Sequence, residues 1–219
     1  MLTVHHLNNS RSQRILWLLE ELEVDYQLEK HLRDPKTLLA PKKLRDIHPL
    51  GKSPVITDGD LVVAESGAII EYILDVYGSG RLRPPTTDPD YLRYRYWLHY
   101  AEGSAMTPFL LKLIFAELPK QAPFVAKPIL RGIEAAVGKA FVKPNIRTHM
   151  KFWEAELEKS TYFVSDDFSA ADIQMSFPLE ASMSRGSGSK YKNISAFVER
   201  IHARPAYKRA LEKGGPYEI

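Results

Sequence analysis

The chain has 219 residues, 44% hydrophobic and 26% charged, a composition that supports a buried core and excludes a disordered chain. Its 30 basic and 27 acidic residues are interspersed, leaving a net charge of +3 with no basic block, so a nucleic-acid partner is not expected. There is no cysteine, which excludes disulfides, thiolate metal sites and a thiol nucleophile of the protein's own; any thiol must arrive with a ligand.

The length fits one large domain or two modest ones. The opening residues show no cationic start followed by an apolar stretch, and no apolar run approaches the ~18 residues that cross a bilayer. The expectation is a soluble, cytoplasmic protein with no membrane partner.

Leu2 and Val4, at strand spacing, predict a first strand over 2–7, ended by the polar Asn8, Asn9 and Ser10. Ile15, Leu18, Leu19 and Leu22 fall on one face of a helix over 12–22. Residues 24–32 alternate, with Tyr26 and Leu28 on one side, and read as a second strand, which completes a right-handed βαβ unit. Pro41, Pro49, Gly51 and Pro54 then leave room only for a short helix near 41–46. Residues 55–57 and 61–64 flank an Asp58-Gly59 turn and predict a hairpin, followed by a helix over 66–77 striped by Ile69, Tyr72, Ile73 and Val76. Gly78-Ser79-Gly80 and Pro84-Pro85 mark a linker.

Beyond it no useful strand pattern recurs. Helices are expected over 91–118, 125–141, from Pro144 through Leu157, over 169–183 and over 191–203. The expected division is 1–79, a linker at 80–88, and 89–219.

Several positions suggest chemistry directly. Ser66 lies where a strand meets a helix, a natural N-cap whose neighbouring N–H groups favour an anion. Ser169 and Asp172 have the spacing of a capping box and read as structural. Arg14 and Glu20 read as surface or dimer-face ion pairs, and His5 and His6 lack the spaced partners of a metal site, so no metal is expected.

Four ordered blocks, HHLNNSRSQRILWLLEEL at 5–22, HPLGKSPVI at 48–56, AESGAII at 64–70 and SAADIQMSFPLE at 169–180, give the chain a resemblance to the glutathione S-transferases, most closely their fungal and proteobacterial branch. The resemblance implies an α/β thioredoxin-like N-terminal domain (βαβαββα, mixed sheet) with an all-α C-terminal helical bundle. Glutathione is then the co-substrate, a small hydrophobic electrophile the second partner, and a homodimer the assembly. Ser53-Pro54 is implied to be a cis bond where the backbone of Ser53 pairs with the cysteinyl part of glutathione, with Lys52 beside it. Glu65 and Ser66 would hold the γ-glutamyl end, and Glu102 would approach the ammonium of the partner subunit's ligand. Leu7, Tyr100, Met106 and Phe109 would line the electrophile pocket.

Ser10 is the candidate for activating the thiol. A free thiol has a pKa of about 8.5, and lowering it by about two units requires roughly 2.7 kcal/mol of preference for the anion, which a hydroxyl donor at a helix N-terminus can partly supply. The spacing of this loop does not match the serine-type classes position for position, so Asn9, Arg11 and Ser12 stay open as alternatives. The implied activity is transfer of glutathione to a hydrophobic electrophile. Glutathione-dependent disulfide reduction or peroxidation and a non-catalytic binding role are the other readings.

Overall fold

The computed structural model describes residues 1–34, 37, 39–183 and 190–215. Its first half runs β1 (Leu2–Leu7), α1 (Ser12–Leu22), β2 (Gln27–His31), α2 (Lys42–Ile47), β3 (Val55–Asp58), β4 (Leu61–Ala64) and α3 (Ser66–Tyr77), the order read from the periodicities. The sheet order is β2-β1-β3-β4. β1 and β2 are parallel, as a crossover through α1 requires, whereas β1–β3 and β3–β4 are antiparallel. Leu2, Val4 and Ile56 turn one sheet face into the core with Ile15, Leu19, Ile69 and Ile73.

β2 begins three residues later than the alternation suggests. Glu23 takes a left-handed φ of 54°, and the Val24 N–H returns 3.1 Å to the Leu19 carbonyl to close α1, so it cannot join a ladder.

The second half is helical: α4 (Asp90–Tyr100), α5 (Met106–Gln121), α6 (Lys127–Val137), α7 (Lys143–Lys159), α8 (Ala170–Met183), α9 (Lys192–Ala203) and α10 (Pro205–Gly214). The helix expected to run unbroken over 91–118 is interrupted by a π-helical turn at Ala101–Ala105, and a second such turn at Gly138–Val142 joins α6 to α7. A π turn inserts one residue into the helical phase, which a fixed 3.6 period does not register.

α10 is absent from the sequence reading because its inward face is made of Ala206, Tyr207 and Ala210, a stripe too small to stand out. It packs on α1, where Glu20 accepts from Tyr26 Oη at 2.8 Å and Arg209 Nε at 3.0 Å and also meets Lys213. Glu20 and Arg14 are both buried, which corrects their reading as surface or dimer-face charges. Gly214 lies so close to α1 that a Cβ there would come within 2.3 Å of Gln13 Oε1. One core joins the halves, with Trp17 of α1 and Trp97 and Trp153 of the helical part all fully buried.

The capping box at α8 forms as expected. Asp172 Oδ2 accepts from the backbone N and Oγ of Ser169, both at 2.9 Å, and its Oδ1 accepts from the Phe163 N–H at 2.8 Å. Burial pushes the Asp172 carboxyl up to about 6, against the opposing pull of those donors.

Candidate functional site

Two cavities of about 310 and 320 Å³ meet along the segment before β3 and share Arg11, Leu50, Lys52 and Ser53. The first continues past Leu7, Asn9 and Ser10 to Arg33 and Arg45; the second continues past Pro54 to Glu65, Ser66 and Glu102. Ten of the residues singled out in the sequence therefore border one groove: Leu7, Asn9, Ser10, Arg11, Lys52, Ser53, Pro54, Glu65, Ser66 and Glu102. Among the described residues, the first cavity's lining carries the cations Arg11, Arg33, Arg45 and Lys52 and no carboxylate, and so favours an anion. The second presents both signs.

The Ser53–Pro54 bond is cis, and both residues lie just outside the ladder that begins at Val55. Next to them, Ser10 Oγ lies 3.3 Å from Ser53 Oγ and 2.7 Å from Ser12 Oγ, and it accepts the Ser12 N–H at 3.2 Å. Ser12 Oγ in turn lies 2.8 Å from Nδ1 of His6. Burial first, then Lys30, pushes the His6 imidazole down to about 4, while a hydrogen bond to the Gly214 backbone pulls the other way, so the ring is neutral at pH 7. With one ring nitrogen given to Gly214, Nδ1 is the acceptor for the Ser12 proton. Ser12 can then only accept from Ser10. Ser12 is fully buried with its hydroxyl directed to His6, so it lies behind Ser10 and away from the groove. Ser10 keeps one proton and two acceptors in reach, Ser12 inside and Ser53 at the groove.

Ser66 is the first residue of α3, and the capping position belongs to Glu65, one residue earlier than expected. Glu65 has φ 75° and ψ 126°, a strained conformation for a residue with a side chain and one found at ligand-holding sites. Ser66 is buried at the mouth of a twelve-residue helix, where unpaired backbone donors favour an anion.

Glu102 stands on the π turn after α4 and faces Glu65 and Ser66 of its own chain. Its Oε2 pairs with Arg11 Nε at 3.2 Å and its Oε1 with Arg14. Arg14 is only 3% exposed and also donates to the Gln174 carbonyl at 2.5 Å, so the acid is anchored from inside the subunit. Glu102 thus lines the groove of its own chain.

Tyr100, Met106 and Phe109 do not border the groove. The Tyr100 hydroxyl accepts from Trp153 Nε1 at 3.1 Å and meets His149, Phe109 stacks on Trp153 with ring centroids 6.3 Å apart, and Met106 is buried in the same core. The inserted residue of the π turn rotates α5 by about 100° relative to an unbroken helix, which brings Leu110 to the groove instead. Leu7, Leu39, Ala40, Leu50 and Phe177 add further apolar groups there. Phe177, with the Arg11 guanidinium 5.0 Å from its ring centroid, lies within the 169–180 block and carried no sequence signal beyond it.

The chain matches two family models, the glutathione S-transferase N-terminal domain over residues 1–75 and the glutathione S-transferase C-terminal domain over residues 136–205. It is 33% identical to glutathione S-transferase 3 of Schizosaccharomyces pombe, covering 97% of this chain and 88% of that one. It is 31% identical to glutathione S-transferase 1 of Saccharomyces cerevisiae, covering 97% and 95%. Among solved structures, a glutathione S-transferase from Actinobacillus pleuropneumoniae superposes with a TM-score of 0.82 at 33% identity, covering 99% of this chain and 94% of that one.

Proposed function

The chain belongs to the glutathione S-transferase family and is a glutathione transferase, and from that premise we propose how its groove holds the tripeptide and activates its thiol. The observation that carries the reading is the position of Ser10 Oγ, 3.3 Å from Ser53 Oγ at the junction of the two cavities. The α-carboxylate of the γ-glutamyl residue meets Ser66 and the N-terminus of α3, and its ammonium faces Glu65 and Glu102. The backbone of Ser53 pairs with the cysteinyl unit, and the glycyl carboxylate enters the cationic cavity beside Lys52, Arg45 and Arg33. The electrophile rests on Leu50, Leu110 and Phe177, all of which border the same groove.

With a thiolate present, the proton of Ser10 turns from its neutral neighbours to sulfur. Exchanging a neutral hydrogen bond for one to an anion gains about 1 kcal/mol. The N-terminus of α1 adds about 0.3–1 kcal/mol. Together these supply about half to three-quarters of the roughly 2.7 kcal/mol that a two-unit shift demands, and Arg11, which lines the same cavity as Ser10, is a cation able to supply more. Asn9 is exposed at the rim and serves to shape the loop, with a left-handed φ of 49°.

The thiolate then attacks the electrophile in the cytoplasm, where glutathione is kept reduced. A two-fold homodimer fits the exposed apolar Leu61 and Val62 of β4, Val76 of α3, and Leu92 and Tyr96 of α4. Sedimentation at micromolar concentration checks it: a species twice the 25.0 kDa chain mass is expected, and a monomer overturns it.

The activity is tested by assaying purified protein with glutathione and either an aryl halide or a mixed disulfide. Conjugation of the halide is expected to be the faster reaction, because the apolar Leu50, Leu110 and Phe177 at the groove favour an aryl group beside the sulfur. Disulfide reduction without measurable conjugation would move the function to thiol exchange.

A further inference from the structure

The sheet face opposite α1 carries a polar cluster that glutathione chemistry does not use. The parallel register pairs His5 with Glu29 and places His31 two residues further along β2, so the three side chains emerge on the same face. The separation of their positions in sequence, across a crossover, is why no ligand spacing is legible there, and the expectation that His5 lacks partners does not hold. His5 Nδ1 lies 3.1 Å from Glu29 Oε2 and 3.5 Å from His31 Nε2, and all three ligand atoms lie within 4.8 Å of one another. Among the described residues this is the one group of three such side chains so placed.

The two separations at His5 Nδ1 are close to those a tetrahedral ion imposes. Bonds of about 2.0–2.1 Å to nitrogen and oxygen put neighbouring ligand atoms about 3.3–3.4 Å apart. Both imidazoles are buried, at 5% and 4% exposure, whereas the Glu29 side chain is 31% exposed and leaves one side open to water. His5 Nε2 lies 3.2 Å from Thr57 Oγ1, a hydroxyl placed to orient the ring once the opposite nitrogen binds a cation. Lys43 of α2 holds the other carboxylate oxygen, Oε1, and is 72% exposed, so it competes only as a mobile surface charge.

We propose that His5, Glu29 and His31 form a site for a zinc-class divalent cation, with three protein ligands and water as the fourth. The two-imidazole, one-carboxylate donor set suits zinc better than calcium or magnesium, which prefer all-oxygen shells. The ion would pin β1 to β2 where β1 leads into the loop of Asn9 and Ser10, and its main effect would be on stability.

The test is calorimetric titration of the chelator-treated full-length protein with zinc chloride, with thermal unfolding followed in parallel. One zinc per chain and a rise in Tm are expected. Glu29→Gln, at a partly exposed position, should weaken binding at least tenfold, and His31→Gln similarly. Lys43→Met, which removes the competing ammonium, should tighten it about threefold. His99→Gln, on an exposed face of α4, should change nothing. Absence of saturable binding, or binding equal in the wild type and the Glu29→Gln and Lys43→Met variants, overturns the site.

Discussion

Asp172→Ala is expected to lower the unfolding free energy by about 3 to 5 kcal/mol, the largest effect of any single substitution considered. The carboxylate is fully buried and receives three donors, the N–H groups of Phe163 and Ser169 and the Ser169 hydroxyl. An alanine leaves all three without an acceptor in a fully buried position, and each buried unsatisfied group costs about 1–3 kcal/mol. The cost falls between two elements, because Asp172 lies in the first turn of α8 while Phe163 belongs to the loop after α7. Urea unfolding at unchanged m-value measures it. Asp172→Asn, which keeps one acceptor oxygen, should lose less, and a loss below about 1 kcal/mol for the alanine would show that the box is not holding α8.

Ser66→Ala is expected to weaken glutathione binding by about 1–3 kcal/mol, roughly a 5- to 150-fold rise in Kd. The hydroxyl is a hydrogen-bond donor at the first position of α3, where the ligand's α-carboxylate would add charge to the bond. Alanine is a good helix former and leaves Ile69, Ile70 and Ile73 packed as before, so the loss should appear in binding and not in fold content. Calorimetric titration with glutathione, beside the far-ultraviolet circular dichroism of both proteins, separates the two. An unchanged affinity would move the γ-glutamyl end elsewhere in the groove.

Most of the thioredoxin-like half is legible because its signals are local. Leu2 and Val4 alternate, Asp58-Gly59 turns, and Ile69 and Ile73 recur at helical spacing. The groove residues around Ser53 and Glu65 were legible as blocks of sequence. What escaped depends on phase or on distance. A π turn at Ala101–Ala105 rotates α5, so Phe109 faces Trp153 and Leu110 faces the groove. Arg14 has the pattern of a surface charge on α1, and only the return of α4 and α8 buries it against Glu102 and the Gln174 carbonyl. His6 lies in an unremarkable strand, and its link to Ser10 needs Ser12 from α1 and Gly214 from the far end of the chain.

The central claim is that Ser10 stabilises the thiolate of bound glutathione, with Ser12 and His6 setting the direction of its proton. The most direct measurement is the ultraviolet thiolate absorbance of glutathione bound to the protein, titrated against pH for the wild type and for Ser10→Ala at saturating ligand. The account predicts a bound thiol titrating well below about 8.5 in the wild type and about one unit higher in Ser10→Ala, with glutathione affinity changed far less. A titration that stays in place when Ser10 is removed, and moves by a unit or more in Asn9→Ala or Arg11→Ala, would contradict it.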